Sequence, residues 1–214
     1  MKTLLIITGP QGSGNHLWSK IFALHPEVSG WSALLDTYWI RHDQEPFAAC
    51  WQDSSLLKHY DWSQRDYHVT SISCPYFDGT QLTIPKIHDF AQQAQDCGLQ
   101  IQLAIIGRDQ NILGYQETRV RGRSTFAFAQ AEYKKLTVWN PVYLSYELLH
   151  LYQHSYLEQI SITLGFPIAC NDARLQEILS DDTNQKYFQP VAHHWVDKLT
   201  KGIMIGSTLE KDTQ

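Results

Sequence analysis

The amino-terminal segment limits the possible folds most. Thr3–Thr8 (Thr-Leu-Leu-Ile-Ile-Thr) is an unbroken β-branched and leucine-rich run, the pattern of a strand covered on both faces rather than one half-open to water. It runs straight into Gly9-Pro10-Gln11-Gly12-Ser13-Gly14. Asn15–Leu24 then places Leu17, Trp18, Ile21, Phe22 and Leu24 at helical spacing. His25-Pro26 ends that helix, because proline disfavours helical backbone at the residue before it. A doubly covered strand, a glycine loop and a helix form the first part of a βαβ unit, and such units build parallel sheets.

The rest of the chain continues the alternation. His68–Ser73 reads as a second strand and Leu99–Ile106 as a third, with Val142–Ser145 another. Lys86–Cys97 reads as a helix with Gly98 at its carboxy-terminal cap. Gln110–Arg119 and Ser124–Tyr133 read as helices separated by a basic turn. Leu151–Leu164 is a further helix, stopped by Gly165 and Pro167. Cys74–Pro85 carries Pro75, Asp78-Gly79 and Pro85 and reads as a loop. Trp31–Tyr67 is rich in aromatic residues without a clean period, and reads as short helices and loops over the sheet. The expected architecture is a three-layer α/β fold: a central, mostly parallel sheet with helices on both faces, of the P-loop nucleotide-fold type. It is expected as one domain over residues 1–204, followed by a polar, fraying tail over 205–214.

Bulk composition narrows the functions. The chain has 214 residues, 43% hydrophobic and 18% charged, with a formal net charge of −5. Such a balance suits a globular domain with a full core and argues against a broad basic surface for nucleic acid. Cys50, Cys74, Cys97 and Cys170 are widely spaced and form no C-x-x-C pair, so buried free thiols are expected rather than a metal or redox site. No metal is expected. The apolar run after Lys2 is too short for a secretory leader, and no stretch approaches the length of a membrane helix. A cytoplasmic location is expected, with no membrane or nucleic-acid partner.

Gly9–His16 carries the chemistry. Glycines let successive backbone N–H groups turn inward as an anion nest, and a helix start adds partial positive charge. Gly9 and Gly14 have the spacing of G-x-x-x-x-G-K-[ST], but Asn15 and His16 stand where the lysine and the magnesium-binding hydroxyl belong. The dinucleotide pattern G-x-G-x-x-G also fails, since Leu17 replaces its third glycine. Asp36 lies near the distance expected for a ribose-binding acid, though an isolated aspartate is usually a solvated one. The second concentration of charge is Gly107-Arg108-Asp109, continuing to Arg119-Val120-Arg121-Gly122-Arg123. Four of the seven arginines fall in that stretch. Arginine's planar fork suits bidentate phosphate recognition, and Arg108 directly follows a strand, on the edge where parallel sheets bind ligands.

Gly9-Pro10-Gln11-Gly12-Ser13-Gly14-Asn15-His16-Leu17-Trp18, followed by Ala23-Leu24-His25-Pro26-Glu27-Val28, resembles the start of the sulfotransferases. Arg108-Asp109 resembles the family's strand-end arginine, and Leu144-Ser145-Tyr146-Glu147-Leu148 with Leu164-Gly165-Phe166-Pro167 resembles two of its later segments. Asn184-Gln185-Lys186-Tyr187 echoes a carboxy-terminal one. The resemblance implies transfer of a sulfuryl group from 3′-phosphoadenosine 5′-phosphosulfate to a hydroxyl or amine acceptor, without magnesium. It implies that Gln11, Gly12, Ser13, Gly14, Asn15 and His16 hold the 5′-phosphosulfate end. It also implies that Arg108 and a serine eight residues on contact the 3′-phosphate, and Gln116 occupies that serine's position. Arg121 is a further cationic candidate.

The departures from the family pattern are specific. The family places a lysine or arginine in the loop, where this chain has Gly12. His16, Lys20 or an arginine of the Arg119–Arg123 turn is the candidate replacement. Asp36, His42 and His88 are the candidates for the base that takes the acceptor's proton. Tyr146 and Glu147 read as packing and capping residues. His150 and His154 are spaced to share a helix face, but no third metal ligand is evident. The aromatic residues Trp31, Tyr38, Trp39, Trp51 and Trp62 either line an acceptor cleft or form a satellite core. Two other readings stay open: a nucleotide-binding module of the same fold that has lost catalysis, and a P-loop nucleotide kinase.

Overall fold

The structure is a computed structural model that describes residues 2–37, 40–78, 81–122 and 125–193, together with 196, 197 and 199. The expected tail over 205–214 lies outside the described residues. Thr3–Gly9 forms strand β1, with every residue buried, and Asn15–Ala23 forms helix α1. Strands β2 (Val28–Ser29), β3 (Tyr67–Ser73), β6 (Gln100–Gly107) and β7 (Val142–Ser145) join β1 in one sheet of order β2-β3-β1-β6-β7. All four pairings are parallel. A separate antiparallel pair, β4 (Tyr76–Asp78) with β5 (Gln81–Thr83), lies within the stretch expected to be a loop. Strands of three residues between prolines and glycine leave too little periodicity to be read.

Side chains of β1 alternate between two cores, as a strand with both faces covered must. Leu5 and Ile7 pack with Trp18, Ile21 and Phe22 of α1, with Leu149, Leu157 and Ile160 of helix α6 (Tyr146–Leu164), and with Leu175 of helix α7 (Ala173–Ser180). Leu4 and Ile6 face helices α2 (Ala48–Gln52), α3 (Ile87–Asp96) and α5 (Phe126–Leu136), through Trp51, Phe90 and Ala129. The three-layer α/β arrangement is as expected. The four leucine and isoleucine side chains of β1 are fully buried, each worth about 1.5–3 kcal/mol.

Helix boundaries differ from expectation where capping decides them. Helix α6 begins at Tyr146, directly after β7, rather than at Leu151, because Ser145 accepts a hydrogen bond from the Leu148 amide. Gln153 interrupts the same helix with φ of 44°. Helix α4 spans Gln110–Arg121, capped by Asp109, whose carboxylate accepts from the Asn111 and Ile112 amides. Helix α7 and a helix over 185–193 were not foreseen. They place the carboxy-terminal part of the chain beside the loop that follows β1.

The strand order positions the site. After β1 the chain crosses to β2 and β3 on one side, then to β6 and β7 on the other. The carboxyl end of β1 is therefore a topological switch point, where a crevice opens between diverging connections.

Candidate functional site

The loop after β1 is built to present backbone amides. Gly12 has φ of 85° and Gly14 φ of 111°, left-handed conformations that favour glycine. The turn closes through Ser13 N donating to Pro10 O at 3.0 Å. The first amides of α1 have no carbonyl a turn earlier to bond. Among the described residues the amides of Gln11, Gly12, Gly14 and Asn15 have no hydrogen-bond partner. Side chains fasten the start of α1 to the end of β3: Asn15 Nδ2 donates to Ser73 Oγ and Ser19 Oγ to Ser71 Oγ, both at 2.9 Å. The amides are thus held open by a stitched frame.

Arg108, at the end of β6, turns back onto this loop. It is only 7% exposed. Its Nη1 donates to Gly12 O at 2.6 Å, its Nε to Asn184 Oδ1 at 2.7 Å and its Nη2 to Thr183 Oγ1 at 3.2 Å. Its guanidinium carbon lies 4.3 Å from the centroid of the Tyr146 ring. Every one of these partners is neutral, and among the described residues no carboxylate forms an ion pair with it. A buried guanidinium without a counter-charge is costly unless an anion joins it. Glu147 braces the turn from behind, accepting from the Asp109 amide at 2.9 Å and from Asn184 Nδ2 at 3.1 Å. Tyr146 and Thr183 are linked by two hydrogen bonds, the Thr183 amide donating to Tyr146 Oη at 3.0 Å. Burial pushes the Tyr146 phenol above its ordinary value, with Thr183 and Arg108 pulling the other way.

A cleft of about 740 Å³ runs from this cluster across the loop, within the size of pockets that hold small molecules. Gln11, Gly12, Gly14, Asn15, His16, Lys20, Arg108 and Gln116 all line it. Ser13 does not; its side chain is buried against Gly9. The far wall carries Glu45, whose side chain is 10% exposed and sits between two imidazoles. His16 Nε2 lies 3.3 Å from its Oε1, and His42 Nδ1 lies 2.6 Å from its Oε2. His42 rests against Tyr76 of β4, with ring centroids 4.3 Å apart. Lys20 stands one helical turn from His16, on the same face of α1.

Several expected residues lie elsewhere. Asp36 is exposed and His88 sits on α3, against the opposite face of the sheet, with its Nδ1 accepting from Trp139 Nε1 at 3.1 Å. Neither lines the cleft, whereas His42 does. Arg119 is directed to Tyr187 rather than to the loop, its Nη2 donating to the phenol oxygen at 3.5 Å. The side chain of Arg121, all of Arg123, and Tyr38 and Trp39 lie outside the described residues. Trp31 packs in one core and Trp51 in the other. His150 packs against Tyr146, and His154 contacts Gln176. Among the described residues no group of three or more His, Cys, Asp or Glu side chains is placed to hold a metal ion, and no helix is long and apolar enough to cross a membrane. Glu45 and Thr183 were missed. Glu45 lies in the aperiodic stretch before Pro46, where no local pattern marks it.

Fold and site together define a class: a parallel α/β protein with an amide-lined loop at its switch point and a buried arginine facing it. No family model matches the chain, and no curated protein matches it. Three chains of solved structure match. One is mouse sulfotransferase SULT7A1 complexed with PAP, with 12% sequence identity and a TM-score of 0.47, over 84% of this chain and 63% of that one. This chain is similar to that structure in fold, spans less than two thirds of its length, and takes no residue's role from it.

Proposed function

We propose that the cleft binds 3′-phosphoadenosine 5′-phosphosulfate and that the protein transfers its sulfuryl group to a hydroxyl or amine acceptor. The observation that carries this reading is Arg108: a buried cation with only neutral partners, bonded to Gly12 O in the wall that also holds four open amides. Two anion-binding features in one cleft, the loop amides and a guanidinium beside them, suit a ligand with more than one phosphate. The amides take the 5′ end, where a helix start favours negative charge. Arg108 faces the 3′-phosphate while holding the loop in shape through Gly12. Tyr146 and Tyr187, both lining the cleft, offer flat surfaces to the adenosine.

Sulfuryl transfer is in-line, with charge building on the oxygen that leaves with the nucleotide. Preorganised donors stabilise that charge without reorganising. Here the loop amides do so, with His16 or Lys20 as the side-chain donor from α1. The acceptor's proton goes to His42. Glu45 Oε2 lies 2.6 Å from His42 Nδ1, an anion placed to stabilise the imidazolium that forms when Nε2 takes the proton. The acceptor oxygen bonds to sulfur, the bond from sulfur to the phosphate oxygen breaks, and adenosine 3′,5′-bisphosphate departs. His42 later returns its proton to solvent.

A second reading, a binding module that has lost transfer, is favoured by one observation: the loop has no side chain at Gly12, and the residues at the usual lysine and hydroxyl positions are committed elsewhere. Asn15 bonds Ser73, and His16 faces Glu45. Those two commitments also weigh against a kinase. Calorimetry with adenosine 3′,5′-bisphosphate separates binding from no binding. Release of sulfate or transfer to a panel of phenols, sugars and amines then separates an enzyme from a module. No heat at millimolar nucleotide overturns both readings.

A further inference from the structure

The loop glycine and the residue above it form a single unit. Gln116 lies on α4, eight residues after Arg108, and its carboxamide covers Gly12. A Cβ at residue 12 would stand 2.6 Å from Gln116 Oε1, 2.8 Å from Cδ and 2.9 Å from Nε2, so the carboxamide would have to swing aside to admit a side chain there. The space a loop side chain needs is therefore filled by an amide from another element. The φ of 85° at Gly12 adds backbone strain to any side chain placed there.

The orientation of that amide is fixed by charge. Gln116 Oε1 faces Arg108 Nη1 at 3.5 Å. The reverse orientation would set an NH2 group against a guanidinium, two donors with no acceptor between them. The oxygen is thus turned to the arginine, and the carboxamide lies over Gly12, Oε1 2.6 Å and Nε2 2.9 Å from where a Cβ would stand. Among the described residues Gln116 Nε2 has no partner, and Gln116 lines the cleft beside Gln11, Gly12 and Gly14.

We propose that Gln116 Nε2 is the side-chain donor to the oxyanion bound at the loop, taking the place of a loop cation over Gly12. The ligand is a tetrahedral oxyanion, the phosphate or phosphosulfate end of the nucleotide; this rests on the cleft being the site proposed above. A neutral donor here leaves the positive charge to Arg108 on one side and to α1 on the other. A lysine introduced at residue 12 meets Gln116 instead of the ligand.

The test measures binding of adenosine 3′,5′-bisphosphate by calorimetry and of inorganic pyrophosphate by phosphorus NMR, with thermal unfolding to confirm the fold of each variant. Gln116→Ala keeps a good helix former on α4, and is expected to weaken both ligands about tenfold, the loss of one hydrogen bond to a charged group. Gln116→Glu is expected to weaken them about a hundredfold, because it sets a carboxylate against the anion. Gly12→Lys alone weakens binding, and Gly12→Lys with Gln116→Ser recovers part of the loss, the backbone strain at residue 12 being common to both, a coupling that neighbouring residues show. Unchanged affinity in Gln116→Ala, or equal affinity in Gly12→Lys with and without Gln116→Ser, overturns the proposal. Wild-type protein that binds pyrophosphate but not the nucleotide overturns the nucleotide assignment alone, and the same variants then decide Gln116 with pyrophosphate. Wild-type protein that binds neither overturns both.

Discussion

Replacing Arg108 by alanine removes a group that touches both the loop and the carboxy-terminal segment. Two short bonds from its guanidinium disappear, to Gly12 O at 2.6 Å and to Asn184 Oδ1 at 2.7 Å. Bonds of this kind, with a charged donor, are worth about 1.5–3 kcal/mol each. Water entering the vacated space recovers part of that. Those bonds set the stability; the expected loss in affinity for adenosine 3′,5′-bisphosphate is that of the charged hydrogen bond to the 3′-phosphate, about 1.5–3 kcal/mol, or roughly 12- to 160-fold in Kd. The loss should depend on the 3′-phosphate: the wild-type preference for the bisphosphate over adenosine 5′-monophosphate shrinks in the variant. Stability falls too, because Gly12 O and Asn184 Oδ1 lose their donor. A loss of about 2 kcal/mol in a chain of this size lowers Tm by roughly 4–8 °C. Arg108→Lys keeps the charge but not the fork, and is expected to recover only part of either effect. Calorimetry with both nucleotides, on variants whose near-ultraviolet dichroism matches wild type, measures this. The reasoning is refuted if Arg108→Ala binds the bisphosphate within about threefold of wild type, or keeps the full preference over the monophosphate.

His42→Ala and Glu45→Gln are expected to cut sulfate release or transfer by about 10²–10⁴-fold, the range for a lost general base, while affinity for the bisphosphate stays near wild type; a matching loss of affinity would make them ligand-binding residues instead. His68 supplies a pH dependence of stability. It is fully buried on β3, its Nε2 donating to Arg65 O at 3.1 Å while Nδ1 is buried without a partner. Burial, the largest cause, lowers its pKa from the ordinary 6.5, against the carbonyls of Arg65 and Trp62. Between the lowered and the ordinary value the unfolded chain binds a proton that the folded one refuses, so stability is full above about pH 6.5 and declines as pH falls through that window. Urea titrations between pH 5 and 7.5 should show the decline in wild type and a flatter profile in His68→Gln; identical slopes would remove His68 as the cause.

The amino acid sequence determined the parts of this protein that depend on neighbours along the chain. The Thr3–Thr8 run is apolar at every inner position, so it had to be a strand with both faces covered. Glycine at 12 and 14 admits the left-handed turns that open the loop amides, and helical spacing from Leu17 to Leu24 fixed α1. Arg108, at the end of a strand, was placed on the ligand edge by that position alone. What depends on residues far apart in the chain only the tertiary structure decided. Glu45 reaches the cleft because a chain with no period of its own folds over β3, and it meets His16 across 29 positions. Asp36 and His88 looked equally suited as bases, but one faces solvent and the other the opposite core. That the Gln116 carboxamide lies over Gly12 is invisible in sequence: a Cβ at residue 12 would stand 2.6 Å from its Oε1. Short-range sterics and periodicity are written in the order of residues, whereas the meeting of distant side chains is set by how the layers pack.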